Sequence, residues 1–147
     1  MEIDGKTVEI RREFYALRNG ILADTLRKAG MNLKYIFGLQ LPQIKTIADR
    51  FRSDDAGENA ALARNLWTDK DCRESRLLAC HLMPPSEITR EEAEAWTHGI
   101  TTREEADILA FRLIRHLGYA GELSEKLEKS DDNLLNYEAV AIRRFID

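Results

Sequence analysis

Apolar residues along this chain recur at intervals of three and four rather than two, the spacing of helices with one buried face. A first helix is expected from about Lys6 to Lys28, with a break near Gly20 and Gly30 as its stop. Pro42 suits the first turn of the next, which would carry Ile44, Ile47, Ala48 and Phe51 inward. The stretch TREE, at Thr89 to Glu92 and again at Thr102 to Glu105, has the form in which a hydroxyl caps an early amide and the glutamate reaches back, so each copy marks a helix start. PPS before the first copy, and GYAG before Glu122, mark loops. With no linker or low-complexity stretch, the expectation is all-α, a single helical-repeat domain over residues 1–147.

The segments KTIADRF, RLLACHL, DILAFRL and EAVAIRR align on Ala48, Ala79, Ala110 and Ala141, each 31 residues after the last. A small residue returning at one helical position is what close helix crossing requires, because interaxial distances of about 8 to 10 Å leave little room for a side chain. Leu66, Trp96 and Leu127 repeat at nearly the same interval and would anchor the partner helices. The predicted architecture is therefore a right-handed superhelix of HEAT-like helical hairpins, about 31 residues per repeat, with a concave groove. Three residues ahead of each alanine stand Lys45, Arg76, Asp107 and Glu138, read either as a solvated rim or as a charged ladder lining that groove.

Charge changes this picture more when split than when summed. Residues 1–76 hold 14 Lys/Arg and 12 Asp/Glu, net +2, whereas residues 77–147 hold 8 and 14, net −6. That balance disfavours non-specific nucleic-acid binding, which depends on cations neutralising phosphates, though a basic strip in the first half is compatible with it. Cys72 and Cys80, if they share a helix, lie about 12 Å apart, too far for a disulfide, and are read as reduced thiols. His81, His98 and His116 show no metal-ligand spacing, so neither a metal nor any other cofactor is expected. No window is apolar enough to span a bilayer and Met1 to Gly20 lacks the core of a signal peptide; a soluble, cytoplasmic protein without a membrane partner is expected. No Ser-His-Asp, Cys-His or Gly-rich phosphate loop can be assembled.

Three stretches, FGLQLPQIKTIADRF, LARNLWTDKDCRESRLLACHLM and AWTHGITTREEADILAFRLI, resemble the DNA alkylation repair enzymes, glycosylases of HEAT-like repeats that remove alkylated bases. The resemblance covers about Tyr35 to Ile142, with Gly38, Pro42, Lys45, Leu66, Trp67, Glu74, Arg76, Ala79, Trp96 and Asp107 falling into the family pattern. It implies that Asp107 matches the catalytic aspartate, a carboxylate that stabilises an oxocarbenium-like sugar or orients water while a cationic base departs. It also implies that aromatic faces hold the cation and basic groove residues the phosphates. Trp67 and Trp96 nevertheless read as core anchors, Arg76 as directed to the groove, and Glu74 as a tie between neighbouring units.

The supporting cast around Asp107 departs from the family. Arg103 occupies the place of a tryptophan, four residues before the aspartate. The arginine expected one repeat later falls on Glu138, or on Ala139 with a one-residue shift, and Glu138 is expected to repel a phosphate there. Family members also continue for several more helices, so the chain reads as a shortened, divergent relative. The resulting expectation is a helical-repeat binding protein with a degenerate active site and little or no base excision, whose groove takes nucleic acid weakly or a protein, with a homodimer through the last repeat as a further arrangement. The alternative is an active glycosylase that removes cationic alkylated purines through Asp107. In either case the groove is lined by Lys45, Arg76, Arg103 and Glu138.

Overall fold

The computed structural model describes residues 2–146, which are helical with no strand among them. They fall into two compact units, Met1–Met83 and Pro84–Asp147. The first contains α1 (Ile3–Leu17), α2 (Gly20–Lys28), α3 (Leu41–Phe51), α4 (Ala56–Trp67) and α5 (Arg73–Leu82). The second contains α6 (Arg90–His98), α7 (Arg103–Arg112), α8 (Ala120–Glu128) and α9 (Asn133–Ile146), with short 3-10 turns at Pro85–Glu87 and Ile114–His116. Among the described residues no helix is long and apolar enough to cross a membrane.

Local chemistry sets the boundaries. The helix expected over residues 6–28, with its break near Gly20, is two helices that part at Arg18 and Asn19. Asn19 leaves helical geometry and its side-chain oxygen accepts the amides of Ile21 and Leu22, so α2 starts afresh. Gly30 then ends α2 at a positive φ of 109°. Pro42 sits in the first turn of α3, whose Ile44, Ile47 and Ala48 are buried and whose Phe51 is half-buried. Thr89 and Thr102 cap α6 and α7 by accepting the amides of Glu92 and Glu105. The loop before α8 is shorter than expected, the helix opening at Ala120 and not at Glu122.

All four aligned alanines are enclosed, Ala48, Ala79 and Ala110 completely and Ala141 nearly so, one each on α3, α5, α7 and α9. Leu66, Trp96 and Leu127 are buried on α4, α6 and α8. Within the first unit α5 packs on α3 and α4; within the second, α9 packs on α7 and α8. A second recurrence lies five positions ahead of each alanine, at Gln43, Glu74, Glu105 and Asn136. Gln43 accepts the Gln40 amide at 2.8 Å. Glu74, fully buried, accepts the amides of Phe37, Gly38 and Leu39 at 3.0 to 3.3 Å and pairs with Arg73 at 2.6 Å. Glu105 accepts the amide and hydroxyl of Thr101, one residue beyond the capping-box position. Asn136 donates to the carbonyls of Leu127, Glu128 and Ser130.

Gly38 leaves no room for a side chain. Its φ is +84°, and a β-carbon there would lie 2.2 Å from the Asn19 carbonyl oxygen, beside the Asn19 amide bond to the Phe37 carbonyl. Gly38→Ala should therefore lower the urea midpoint clearly, while Gly118→Ala, with open space around it, should leave it nearly unchanged. Ala79→Leu and Ala110→Leu should each overpack a filled site and cost about 1 to 3 kcal/mol in the same denaturation series; unchanged midpoints would show that these alanines are not packing positions.

Candidate functional site around Asp107

Thr102 sets the start of α7, which places Arg103 and Asp107 one turn apart on the same side. Asp107 does not bond to Arg103, nor is it an unoccupied carboxylate. The hydroxyl of Tyr137 on α9 donates to it, lying 2.9 and 3.0 Å from its two oxygens. The guanidinium of Arg103 rests instead over the Tyr137 ring, 4.9 Å from its centre. Burial, and then the bond to Asp107 with its charge, push the Tyr137 hydroxyl above its usual range. The ring is thus fixed at its edge by an anion and on its face by a cation.

Glu138, the next residue on α9, has no exposed surface, and neither carboxyl oxygen has a hydrogen-bond partner. Burial, with a lesser contribution from the negative Asp107, pushes its carboxyl up to about 9. At neutral pH the group therefore keeps its proton and carries no charge. The expected repulsion of a phosphate by Glu138 does not arise from such a group, because the desolvation that makes it buried also neutralises it.

The other residues of the column occupy unlike surroundings. Lys45 is exposed and pairs with Asp49 at 2.9 Å; the bonds of Asp49 to Lys45 and Arg52 hold its carboxyl at about 2. Arg76 is buried, with its guanidinium 3.8 Å from the centre of the Trp67 ring. Trp67 and Trp96 are themselves buried. Leu66-Trp67 and Glu74-x-Arg76 therefore have structural roles in the first unit: Trp67 receives Arg76, and Glu74 ties the loop before α3 to α5. Cys72 and Cys80 are both buried thiols. Among the described residues no three His, Cys, Asp or Glu side chains form a metal-binding group.

Tyr137 is the residue that the sequence pattern does not single out. The 31-residue register makes Glu138 the counterpart of Asp107, and the bond is made by the residue one place earlier. A tyrosine adjacent to a charged rung is the available signal, since its long side chain reaches a neighbouring helix that the rung itself does not meet.

Asp107→Asn and Tyr137→Phe should each destabilise the protein, and a double-mutant cycle should return a coupling of about 1 to 3 kcal/mol, as for a hydrogen bond to a charged group. Additive losses would show that the bond contributes nothing. For Glu138 the native state holds its proton up to about pH 9, whereas an ordinary glutamate releases it near 4.5. Across that window the native state binds more protons than the unfolded one, so its contribution is complete below pH 4.5 and is lost as pH rises through 9. Glu138→Leu should flatten the fall in stability between pH 6 and 9 and exceed the parent by roughly a few kcal/mol at the alkaline end. Parallel pH profiles for the two proteins would count against a buried neutral acid.

The residues that meet in both units, Gly38 with Glu74, Trp67 with Arg76, and Asp107 on α7, are those of the motif stretches. No curated protein and no solved structure matches the chain. Over residues 10–141 the sequence matches the family model described as DNA alkylation repair enzyme, and the chain belongs to that family.

Proposed function

We propose that this protein is a family member that binds DNA weakly and excises no base, its repeats being HEAT-like hairpins stacked as a right-handed superhelix. The observation that carries the functional part is the triad of Arg103, Tyr137 and Asp107. A departing cationic base needs an aromatic face and an uncommitted carboxylate; here the ring already lies under a guanidinium, and both carboxylate oxygens face the tyrosine hydroxyl. Asp107 then acts as the anchor of α9 on α7 rather than as a reagent. The superhelical reading is supported by the 31-residue return of enclosed alanines and of the polar residues five places ahead of them. Of the four residues proposed to line the groove, Lys45 and Arg103 are exposed, whereas Arg76 and Glu138 are buried and offer little to a ligand without rearrangement.

The surroundings of Asp107 also favour a second reading, an active glycosylase: the carboxylate retains partial exposure beside an aromatic ring, the pairing of groups that excision of a cationic purine requires. A base-release assay on duplex DNA carrying 7-methylguanine separates the two. We expect no release above the spontaneous rate from the parent protein or from Asp107→Asn. Release by the parent that Asp107→Asn abolishes, with the variant still folded, would establish the glycosylase instead.

A further inference from the structure

Where α1 gives way to α2 the chain turns large apolar side chains to solvent: Leu17, the last residue of α1, is exposed, and Ile21, in the first turn of α2, keeps 82% of its surface. Beside Ile21 opens a cleft of about 470 Å³ lined by Ala16, Arg18, Gly20, Ala23, Ile36 and Phe37. Its floor is fixed within the unit. The Asn19 amide bonds to the Phe37 carbonyl at 2.8 Å, and Gly38 lies so close to α2 that a β-carbon there would meet the Asn19 oxygen and the Ala23 nitrogen. At the rim a β-carbon on Gly20 would meet nothing within 4 Å, which leaves room for a second backbone. Two charges flank Ile21 at equal steps, Arg18 three residues before it and Asp24 three residues after. Arg18 rests over the Tyr15 ring, 4.0 Å from its centre, and donates to the Tyr15 carbonyl, so it is held at the cleft with no carboxylate opposing it among the described residues. The Asp24 side chain is exposed and has no ion pair among them either.

We infer that this face of α2 is the contact through which the protein pairs with a second copy of itself about a two-fold axis, in place of the pairing through the last repeat that the sequence suggests. A two-fold contact is self-complementary, each copy offering both a projection and the recess that receives it. Both lie here on one short stretch: Ile21 projects, and the apolar cleft next to it receives the Ile21 of the other copy. Pairing removes from water a side chain that the folded monomer leaves there. Charge selects the same occupant. When two such stretches meet antiparallel with the Ile21 side chains astride the axis, the residue three places before it in one copy meets the residue three places after it in the other. Arg18 and Asp24 then form two pairs of opposite charge and none of like charge. A partner surface of one sign would satisfy one of these residues and repel the other. The contact is confined to one end of a nine-residue helix, so the dimer is weak and depends on concentration. It uses α1 and α2 alone and does not depend on whether Asp107 excises a base.

The test is sedimentation velocity on the full chain from low to several hundred micromolar. The parent should pass from monomer to dimer mass across that series. Ile21→Glu should weaken association by at least about a hundredfold, because each dimer loses two apolar side chains at its axis. The replaced side chain is exposed and an acid suits the first turn of a helix, so circular dichroism should show unchanged helix content; a variant failing that check is replaced by Ile21→Ser. Arg18→Glu and Asp24→Arg should each lose the dimer alone and regain it when the two variants are mixed, since only the mixture restores both pairs of opposite charge. Val140→Glu, at an exposed apolar position on α9, should leave the dimer as it is. A parent that stays monomeric throughout overturns the proposal, as does a dimer that Ile21→Glu leaves intact or that Val140→Glu dissolves. Charge variants that do not recover on mixing would overturn the antiparallel two-fold pairing.

Discussion

Near the starts of α3, α5, α7 and α9 the backbone of a loop ends beside packed helices, where an amide or carbonyl without a partner is costly to enclose. The side chain five positions ahead of each aligned alanine meets that demand, and its chemistry follows what the loop presents. Gln43, Glu74 and Glu105 accept, because each faces N–H groups at the start of a helix or the turn before one. Asn136 donates, because it faces the carbonyls at the end of α8. Glu74 has the heaviest duty: three amides and the Arg73 guanidinium converge on it in a fully buried site. Removing its carboxyl would take a partner from all four groups together, and the loop that carries the three amides includes Gly38, where a β-carbon has no room.

That constraint explains why the helices and their spacing were largely legible in the sequence and the site much less so. Enclosed alanines must recur because helices pack closely at them, and recurrence survives as a countable interval. Caps were legible for the same reason, since Thr89 and Thr102 act on amides a fixed three residues ahead. Asn19 was not legible as a cap, because a strong apolar pattern runs across it and the reason for a break lies in Phe37, on another segment. The column of Lys45, Arg76, Asp107 and Glu138 looked uniform because spacing reports which side of a helix a residue occupies, not how deep it lies. One step of the register separates an exposed lysine from an arginine buried on Trp67, and another separates a tyrosine-bound aspartate from an uncharged acid.

Depth also decides the electrostatics around Asp107. Two carboxyls at corresponding places on neighbouring helices cannot both ionise cheaply when one is out of water. The buried member, Glu138, keeps its proton, driven first by its own desolvation and then by its half-buried neighbour. The Tyr137 hydroxyl takes the remaining demand of Asp107, and the ring it belongs to is positioned for Arg103. Arg103 and Asp107 on α7 thus both meet a ring supplied by α9, so the cation and the aromatic face that meet here come from the protein itself.

A site that satisfies its own charges has little left to offer a charged ligand. On α1 the balance is less complete: Arg50 takes Glu13, and Lys6 and Arg12 stand around Glu9 with no ion pair among the described residues, which leaves one positive charge over. Uncompensated charge persists at a surface only where water or a ligand can solvate it, and an open cleft admits both. Charge thus stays paired where it is partly enclosed, as at Asp107, and unpaired where solvent reaches it, as at Arg12 on α1.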